Sequence, residues 1–492
     1  MQAPHDANAA AAARTPSRGL AAAIALAGAL VGTFASIVRG KVTAHVLGPV
    51  GVGVSAEVLQ IVATAMVPLA MLGGPALVQR VSPSFKRGDH DDVALAYASA
   101  STGMAAVTLV ATLGATLAAR AVFPAPWGAE AWPLVLPAGL ATGLLAVALL
   151  PSQTLVAMGE IATATRLQVL NALVQMALVC AATWRFGLTG QFVAMLLSAL
   201  VLMPLGQRLG RRAVPTLSWR FSLRFDPKYG RDALTLGLAS MVAGFSAQGA
   251  MSVVRLSLEH RGGPALNGQF QAAWAIGSTY FALMLGSLGS YAFPRFAAAT
   301  DAASLGREVD ETARFVLGVV PPAVLLLVGT RDLAVWLLYS SRFGEAAPLL
   351  GMLSVADASR AMVWVLLGPL LYRQRLGHFV LSEVYANGVF ALAAWLLVPR
   401  VGLMGVGWAY AFMQVTTLMI APFLLRQACG VRVSWRVVAA ALGASTMAFA
   451  GQWATLRWPA SRALVLAVAG LWAWRAGLVT AAWAKLRARL GR

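Results

Sequence analysis

Charge is scarce in this 492-residue chain. Charged side chains make up only 11% of it, against about 25% in an ordinary soluble domain. With hydrophobic residues at 59%, that scarcity excludes a water-soluble globular fold. Acid is scarcer still, with 18 Asp and Glu against 38 Lys and Arg and a net charge of +20. There are two cysteines, Cys180 and Cys429, far apart and in or beside apolar segments. That excludes a disulfide framework and a thiolate metal site. The five histidines show no helical pairing, and HExxH, CxxC and P-loop motifs are missing. The excess of basic residues does not indicate a nucleic-acid partner. These residues punctuate apolar runs instead of clustering with aromatics on a polar domain, as charges that set membrane topology do.

What the chain has in quantity is long apolar runs. A bilayer core of about 30 Å takes roughly 20 apolar residues per helix. Fourteen such runs are present, centred near 29, 66, 107, 141, 175, 198, 244, 282, 319, 362, 388, 414, 446 and 473. The first, from Leu20 to Val38, has no clear cleavage site and reads as a retained helix, not a signal peptide. Residues 1–17 are Ala-rich and read as a disordered tail. With the N-terminus in the cytoplasm, 25 of the basic residues fall on the cytoplasmic side and 11 opposite. That bias predicts both termini inside.

The chain also repeats itself at a constant offset of 215 residues. Glu130-Ala131-Trp132-Pro133-Leu134 returns as Glu345-Ala346-Ala347-Pro348-Leu349, and Gly187-Leu188-Thr189-Gly190 as Gly402-Leu403-Met404-Gly405. Gly48-Pro49 with Gly53 returns as Gly263-Pro264 with Gly268, and Arg80 as Arg295. The predicted fold is an all-α polytopic membrane protein of about 14 transmembrane helices. It has two pseudo-symmetric six-helix lobes and two extra C-terminal helices. The lobes span 18–207 and 232–428, with a basic cytoplasmic linker at 208–231 and helices 13 and 14 in 429–492. Each lobe starts on the cytoplasmic side, so the repeats are parallel about an axis along the membrane normal.

Ionisable groups at membrane depth are costly unless a cavity or partner compensates them. Arg39 and Lys41 close helix 1 before the first Gly-Pro turn, and Arg255 closes helix 7 before the second. The repeat maps Arg255 between the other two. These are candidate cations for an anionic head group such as a pyrophosphate; they also fit interfacial anchors that snorkel to water. Arg80 and Arg295 read as topogenic charges or as a cytoplasmic gate for an anionic substrate. Asp357 and Arg360, three apart on one helical face, form a self-neutralising pair or a switchable gate. Glu57 and Glu383 are candidate sites for a coupling H⁺ or Na⁺, or solvent-facing end residues. In helix 8, Gln271, Ser278, Thr279 and Tyr280 are candidates to hydrogen-bond sugar hydroxyls. Helix packing is the plainer role for the serine and threonine.

Between Arg331 and Leu425 the chain carries Arg331-Asp332-Leu333-Ala334-Val335-Trp336-Leu337-Leu338, Ser341-Arg342-Phe343, Leu381-Ser382-Glu383-Val384 and Trp408-Ala409-Tyr410, and a glycine-rich stretch lies around Leu47-Gly48-Pro49. In these segments it resembles the Wzx-type flippases of bacterial polysaccharide synthesis, within the multidrug/oligosaccharidyl-lipid/polysaccharide exporter superfamily. Among them it resembles the branch that handles the lipid-linked oligosaccharide of enterobacterial common antigen. The resemblance implies two lobes around a cationic cavity, alternating access, and movement of an undecaprenyl-pyrophosphate-linked glycan to the outer leaflet. It carries cavity-cation roles to Lys41 and Arg255 and retained acidic positions to Asp357 and Glu383. The chain departs from it in helices 13 and 14, and in Ser278-Thr279 where that branch is acidic. Fourteen helices resemble the lipid II flippases of the same superfamily.

The expected function is therefore a non-enzymatic lipid-linked oligosaccharide flippase of the bacterial cytoplasmic membrane. Its expected partners are the lipid-linked substrate, membrane lipid, and polysaccharide polymerase and chain-length proteins. No cofactor beyond a coupling ion is implied. The alternatives are a lipid II flippase, a drug or cation antiporter, and a membrane glycosyltransferase or polymerase. An antiporter of cationic drugs needs acidic lumen groups, and a polymerase needs a large acid-rich outer loop.

Overall fold

The computed structural model describes residues 18–122, 128–219 and 221–477. The expected tail over 1–17 and the basic end beyond 477 lie outside the described residues. Within them all regular structure is helical. Ten continuous helical stretches are long and apolar enough to cross a membrane. Three of these are much too long for one crossing. A helix of 53 residues, such as Ile161–Ala213, would extend about 80 Å. Each long stretch is broken at one place by non-helical glycine: at Gly48, at Gly187, and at the adjacent Gly262 and Gly263.

With those breaks the helices are α1 (18–47), α2 (49–86, interrupted near 66–68 and 74), α3 (His90–Val122), α4 (Gly128–Ala157), α5 (161–186), α6 (188–213), α7 (227–262) and α8 (264–298). They continue with α9 (Ala302–Leu338), α10 (Ala346–Tyr372), α11 (Leu376–Val401), α12 (Met404–Cys429), α13 (Trp435–Arg457) and α14 (Ser461–Arg475). Each of the fourteen segments expected from hydropathy corresponds to one of these helices.

The offset of 215 is legible in the backbone. Gly48 has φ 64° and ψ −174°, and Gly263 has φ 67° and ψ −166°. Gly187 has φ 62° and ψ −140°, and Gly402 has φ 64° and ψ −142°. These torsions belong to a region essentially closed to residues with a Cβ. Each break ends an odd-numbered helix. At Gly48 and Gly263 the next residue is proline, whose fixed φ and missing N–H suit the first position of a new helix. Side-chain caps open two of the later helices: Asp301 accepts the Ser304 amide at 2.6 Å and opens α9 with a reciprocal capping box, and Ser434 accepts the Arg436 amide at the start of α13.

The chain forms two compact units. One comprises Met1–Val46 and Ile61–Leu238, the other Leu47–Gln60 and Ala239–Arg492. In the first unit α4 packs along α3 and the α5–α6 stretch. The segment after α6 is held down as well. Trp219 is fully buried, Thr102 donates to the Ser222 carbonyl at 2.6 Å, and the Asp226 amide donates to Ser99 at 2.9 Å. In the second unit α10 is the core helix, flanked by α9, α12 and α13, with α14 on α9. Helices α13 and α14, outside the repeat, thus complete the core of this unit. The side chain of Arg331 on α9 is 2% exposed. It donates at 2.6 Å to both Gln452 and Thr455 of α13. Gln452 donates in turn to the Pro348 carbonyl of α10 at 2.9 Å.

Candidate substrate cavity and its polar networks

The second unit contains a cavity of about 470 Å³ among α7, α8, α10, α11 and α12. Its polar lining comes from Arg360, Ser382, Glu383, Asn387, Tyr410, Gln414 and Thr417. Its apolar lining is largely aromatic. Trp274 stacks on Phe390 at 6.3 Å between centroids and meets Tyr410 edge-on at 5.6 Å. Phe293 lies 4.9 Å from Trp364 and 4.3 Å from Tyr372. Aromatic faces beside hydrogen-bonding side chains suit ligands with both apolar and polar surface.

Asp357 and Arg360 are one helical turn apart, with Arg360 Nη1 3.6 Å from Asp357 Oδ1. Asp357 is 2% exposed and also accepts the Tyr410 hydroxyl at 3.1 Å. Arg360 reaches toward the cavity with its guanidinium 4.1 Å above the Phe281 ring. The carboxylate is thus the buried anchor and the guanidinium the cavity-facing group. Tyr280 packs edge-on to Phe281 at 6.3 Å, and its hydroxyl is buried with no hydrogen-bond partner among the described residues. Glu383 is half-buried in the cavity wall.

The structure thus gathers Asp357, Arg360 and Glu383 around one cavity, with Tyr280 beside them. It adds Asn387, Trp274, Tyr410 and Gln414, which the sequence reading did not single out as site residues. A polar residue every third or fourth position on α12, Tyr410, Gln414 and Thr417, was the available signal. Only packing shows that this face meets Asp357 rather than lipid.

A second network lies in the same unit, where α7 ends and α8 begins. Arg255 donates to Asn267 Oδ1 at 2.7 Å and to Gln271 Oε1, and its guanidinium sits 5.3 Å from the Phe270 ring centre. Asn267 passes the chain on by donating to Glu57 Oε2 at 2.9 Å. Gln60, one turn along α2 from Glu57, donates to the Gln248 side chain at 2.9 Å. Gln271 therefore acts as the acceptor for Arg255. Asn267 sits inside the Gly-Pro-Ala-Leu-Asn-Gly turn, whose glycines and proline alone drew notice in the sequence.

In the first unit Arg39 donates to Gln175 at 2.6 Å, and Gln175 donates to Asn171 at 2.7 Å. Lys41 is exposed on α1. The structure therefore engages Arg39 and Arg255 each within its own unit. Arg80, near the end of α2, forms ion pairs with Asp92 at 2.7 Å and Asp226 at 2.6 Å. This cluster lines a pocket of about 700 Å³ with Arg87, Lys228 and Asp232. The hydrogen bonds to Asp92 and then Asp226 raise the Arg80 pKa, and Arg80 in turn holds the Asp226 carboxyl below the usual carboxylate range. In the second unit Arg295 makes the corresponding clamp, 3.3 Å from Glu308 and 3.0 Å from Glu311 on α9. Both arginines tie the end of an even-numbered helix to the start of the next.

Comparisons with known proteins agree with this architecture. No family model matches the sequence. The chain is 24% identical over 241 residues to the lipid III flippase of Escherichia coli (strain K12), covering 49% of this chain and 56% of that protein. The lipid III flippase of Shigella flexneri matches to the same extent. The chain thus spans little more than half the length of these curated relatives. An inward-facing multidrug resistance MATE family transporter of the MOP superfamily superposes with a TM-score of 0.71 at 15% identity, covering 83% of this chain and 95% of that one. The lipid II flippase MurJ, in an inward closed conformation, superposes with a TM-score of 0.70 at 10% identity, covering 96% and 100%. The polytopic all-helical fold expected from the sequence is therefore the fold of MOP-superfamily transporters, and the Wzx-type resemblance is met by relatives named as lipid III flippases.

Proposed function

We propose that this protein is a flippase that moves a lipid-linked oligosaccharide across the bacterial cytoplasmic membrane by alternating access. The observation that carries the reading is the second unit's cavity. Its wall combines a guanidinium anchored by a buried acid, hydrogen-bonding amides and hydroxyls, and an aromatic belt, in the fold of a superfamily that includes lipid flippases. A pyrophosphate needs cations, sugar hydroxyls need polar partners, and the apolar faces of sugar rings need aromatic surface. In this reading Arg360 is the cationic contact within the cavity, Arg39, Lys41 and Arg255 are candidate cations for the head group each within its own unit, and the prenyl chain stays in lipid. Arg80 and Arg295 are gating clamps, while Glu57 and Glu383 serve coupling to H⁺ or Na⁺. Both termini are cytoplasmic, and polymerase and chain-length proteins are the expected neighbours in the membrane.

A lipid II substrate is the second reading, favoured by the coverage of the MurJ chain. A pump for cationic drugs is less well supported by the site, because its most buried acid, Asp357, is already engaged by Arg360 and Tyr410. The test is reconstitution into proteoliposomes with defined fluorescent prenyl-pyrophosphate sugars. The expected result is protein-dependent exposure of the oligosaccharide lipid in the opposite leaflet. Transport of lipid II alone would select the second reading. No movement of any lipid-linked sugar, with efflux of cationic dyes instead, would overturn the proposal.

A further inference from the structure

Three ionisable side chains are buried together where α7 meets α2 and α8: Glu57 at 4% exposed, Arg255 at 4% and Glu259 at 8%. Arg255 donates through its two terminal nitrogens to the amide oxygens of Asn267 and Gln271, its buried Nε has no partner among the described residues, and Asn267 relays to Glu57. Glu259 lies one turn beyond Arg255 on α7, and both of its carboxyl oxygens are buried with no hydrogen-bond partner among the described residues. None of the ion pairs found among the described residues includes any of the three. The charged groups that act on Glu259 are Glu57 from α2 and Arg255 from its own helix. His260 and Arg261 follow on α7, where the exposed His260 ring turns back to the Leu256 carbonyl.

Two carboxylates against one guanidinium leave one negative charge in excess. An ionised carboxylate without a hydrogen bond is very costly to bury, and more so at membrane depth. Glu57 is supported by Asn267, whereas Glu259 has no such support. A bound metal ion would need several oxygen ligands, and among the described residues no group of three or more His, Cys, Asp or Glu side chains is placed to hold one. We propose that Glu259 is a proton-binding site and is protonated in the arrangement observed. Loss of the proton to water breaks only its O–H bond and leaves a carboxylate that competes with Asn267 and Gln271 for Arg255. Withdrawal of Arg255 would release Asn267, and with it the tie to Glu57 on α2. Service of this switch in transport rests on the flippase reading; proton binding itself does not.

The test is infrared spectroscopy of the full-length protein in nanodiscs, in sodium-free buffer near neutral pH, which needs no substrate. The expected result is a protonated-carboxyl C=O stretch that shifts in D₂O, disappears in Glu259→Gln and persists in Glu57→Gln. Thermal unfolding of both variants checks that they fold. A band unchanged in a folded Glu259→Gln, or lost in Glu57→Gln instead, would overturn the proposal. So would loss of the wild-type band on adding sodium, which would mark a sodium site. In proteoliposomes an inside-to-outside pH difference should stimulate wild-type lipid movement and leave the Glu259→Gln rate unchanged. Stimulation of both alike would remove Glu259 from coupling while leaving the infrared result standing.

Discussion

Gly53 and Gly268 make the same contact with each other's motif. A Cβ on Gly53 would stand 1.8 Å from the Pro264 carbonyl oxygen, and one on Gly268 would stand 1.9 Å from the Pro49 carbonyl oxygen. Each glycine follows its own motif's proline by four residues, so the duplicated Gly-Pro-x-x-x-Gly segments cross as a local two-fold pair. Close backbone approach of this kind is open only to residues without a side chain. Here the obstacle is a main-chain carbonyl, which cannot swing aside.

Gly53→Ala and Gly268→Ala should therefore each destabilise the protein by about 1–3 kcal/mol, the usual cost of overpacking. Thermal unfolding of the purified protein would show it. Because both alanines force apart the same crossing, the double variant should lose less than the sum of the two. An unchanged melting temperature in either single variant would contradict the contact.

Asn267 is the bridge between Arg255 and Glu57. Asn267→Leu leaves both charged groups buried without their shared amide. Lipid-linked sugar export should fall by at least an order of magnitude, since each charge-assisted hydrogen bond is worth about 1.5–3 kcal/mol. Asn267→Gln should recover less than full activity, because its longer side chain must refit the turn. Complementation of an export-deficient strain at matched protein level is the measurement.

At the cavity, Arg360→Leu strands the carboxylate of Asp357, which is 2% exposed. Loss of one member of a buried pair typically costs about 3–5 kcal/mol. Asp357→Asn with Arg360→Gln removes both charges and should restore folding but not transport. Folding without transport would identify Arg360 as a substrate contact, while full transport by the double variant would dismiss that role.

The Arg80 clamp gives a pH dependence with a defined sign. Arg80 holds the Asp226 carboxyl below its ordinary value. A depressed acid stabilises the fold above its unfolded pKa, and that stability is lost as pH falls through the folded value. Wild type should therefore exceed Arg80→Gln in melting temperature at neutral pH, and the gap should close under acid. Arg295→Gln should show a smaller gap, because Arg295 is 39% exposed against 20% for Arg80.

Helices α13 and α14 should prove indispensable to folding. Gln452→Leu leaves the buried Arg331 guanidinium without one of its two short side-chain acceptors and the Pro348 carbonyl without its donor. The expected result is a melting temperature lowered by several degrees, with a larger loss when α13 and α14 are removed. Normal assembly of a chain ending at Cys429 would refute the role.

Much of this was legible in the residues alone. Apolar runs of bilayer length specified fourteen helices, because a continuous apolar run of about 20 residues crosses lipid by closing its polar backbone hydrogen bonds within itself, as an α-helix does. The 215-residue echo specified which glycines break the helical path, because only glycine tolerates the torsions found at Gly48 and Gly263. The pairing of Asp357 with Arg360 followed from a spacing of three on one helix. Partners distant in sequence did not follow. Nothing in the neighbourhood of Asn267 announces Glu57, which lies 210 residues away. Nothing in the sequence around Glu259 distinguishes it from other acids; its burial without a partner among the described residues does. Sequence by itself thus determined the helices, their breaks and the duplication, since those depend on hydropathy and local torsion. Tertiary structure alone decided which polar groups meet, because in helices of nearly uniform hydrophobicity the sequence does not mark which face turns to protein and which to lipid.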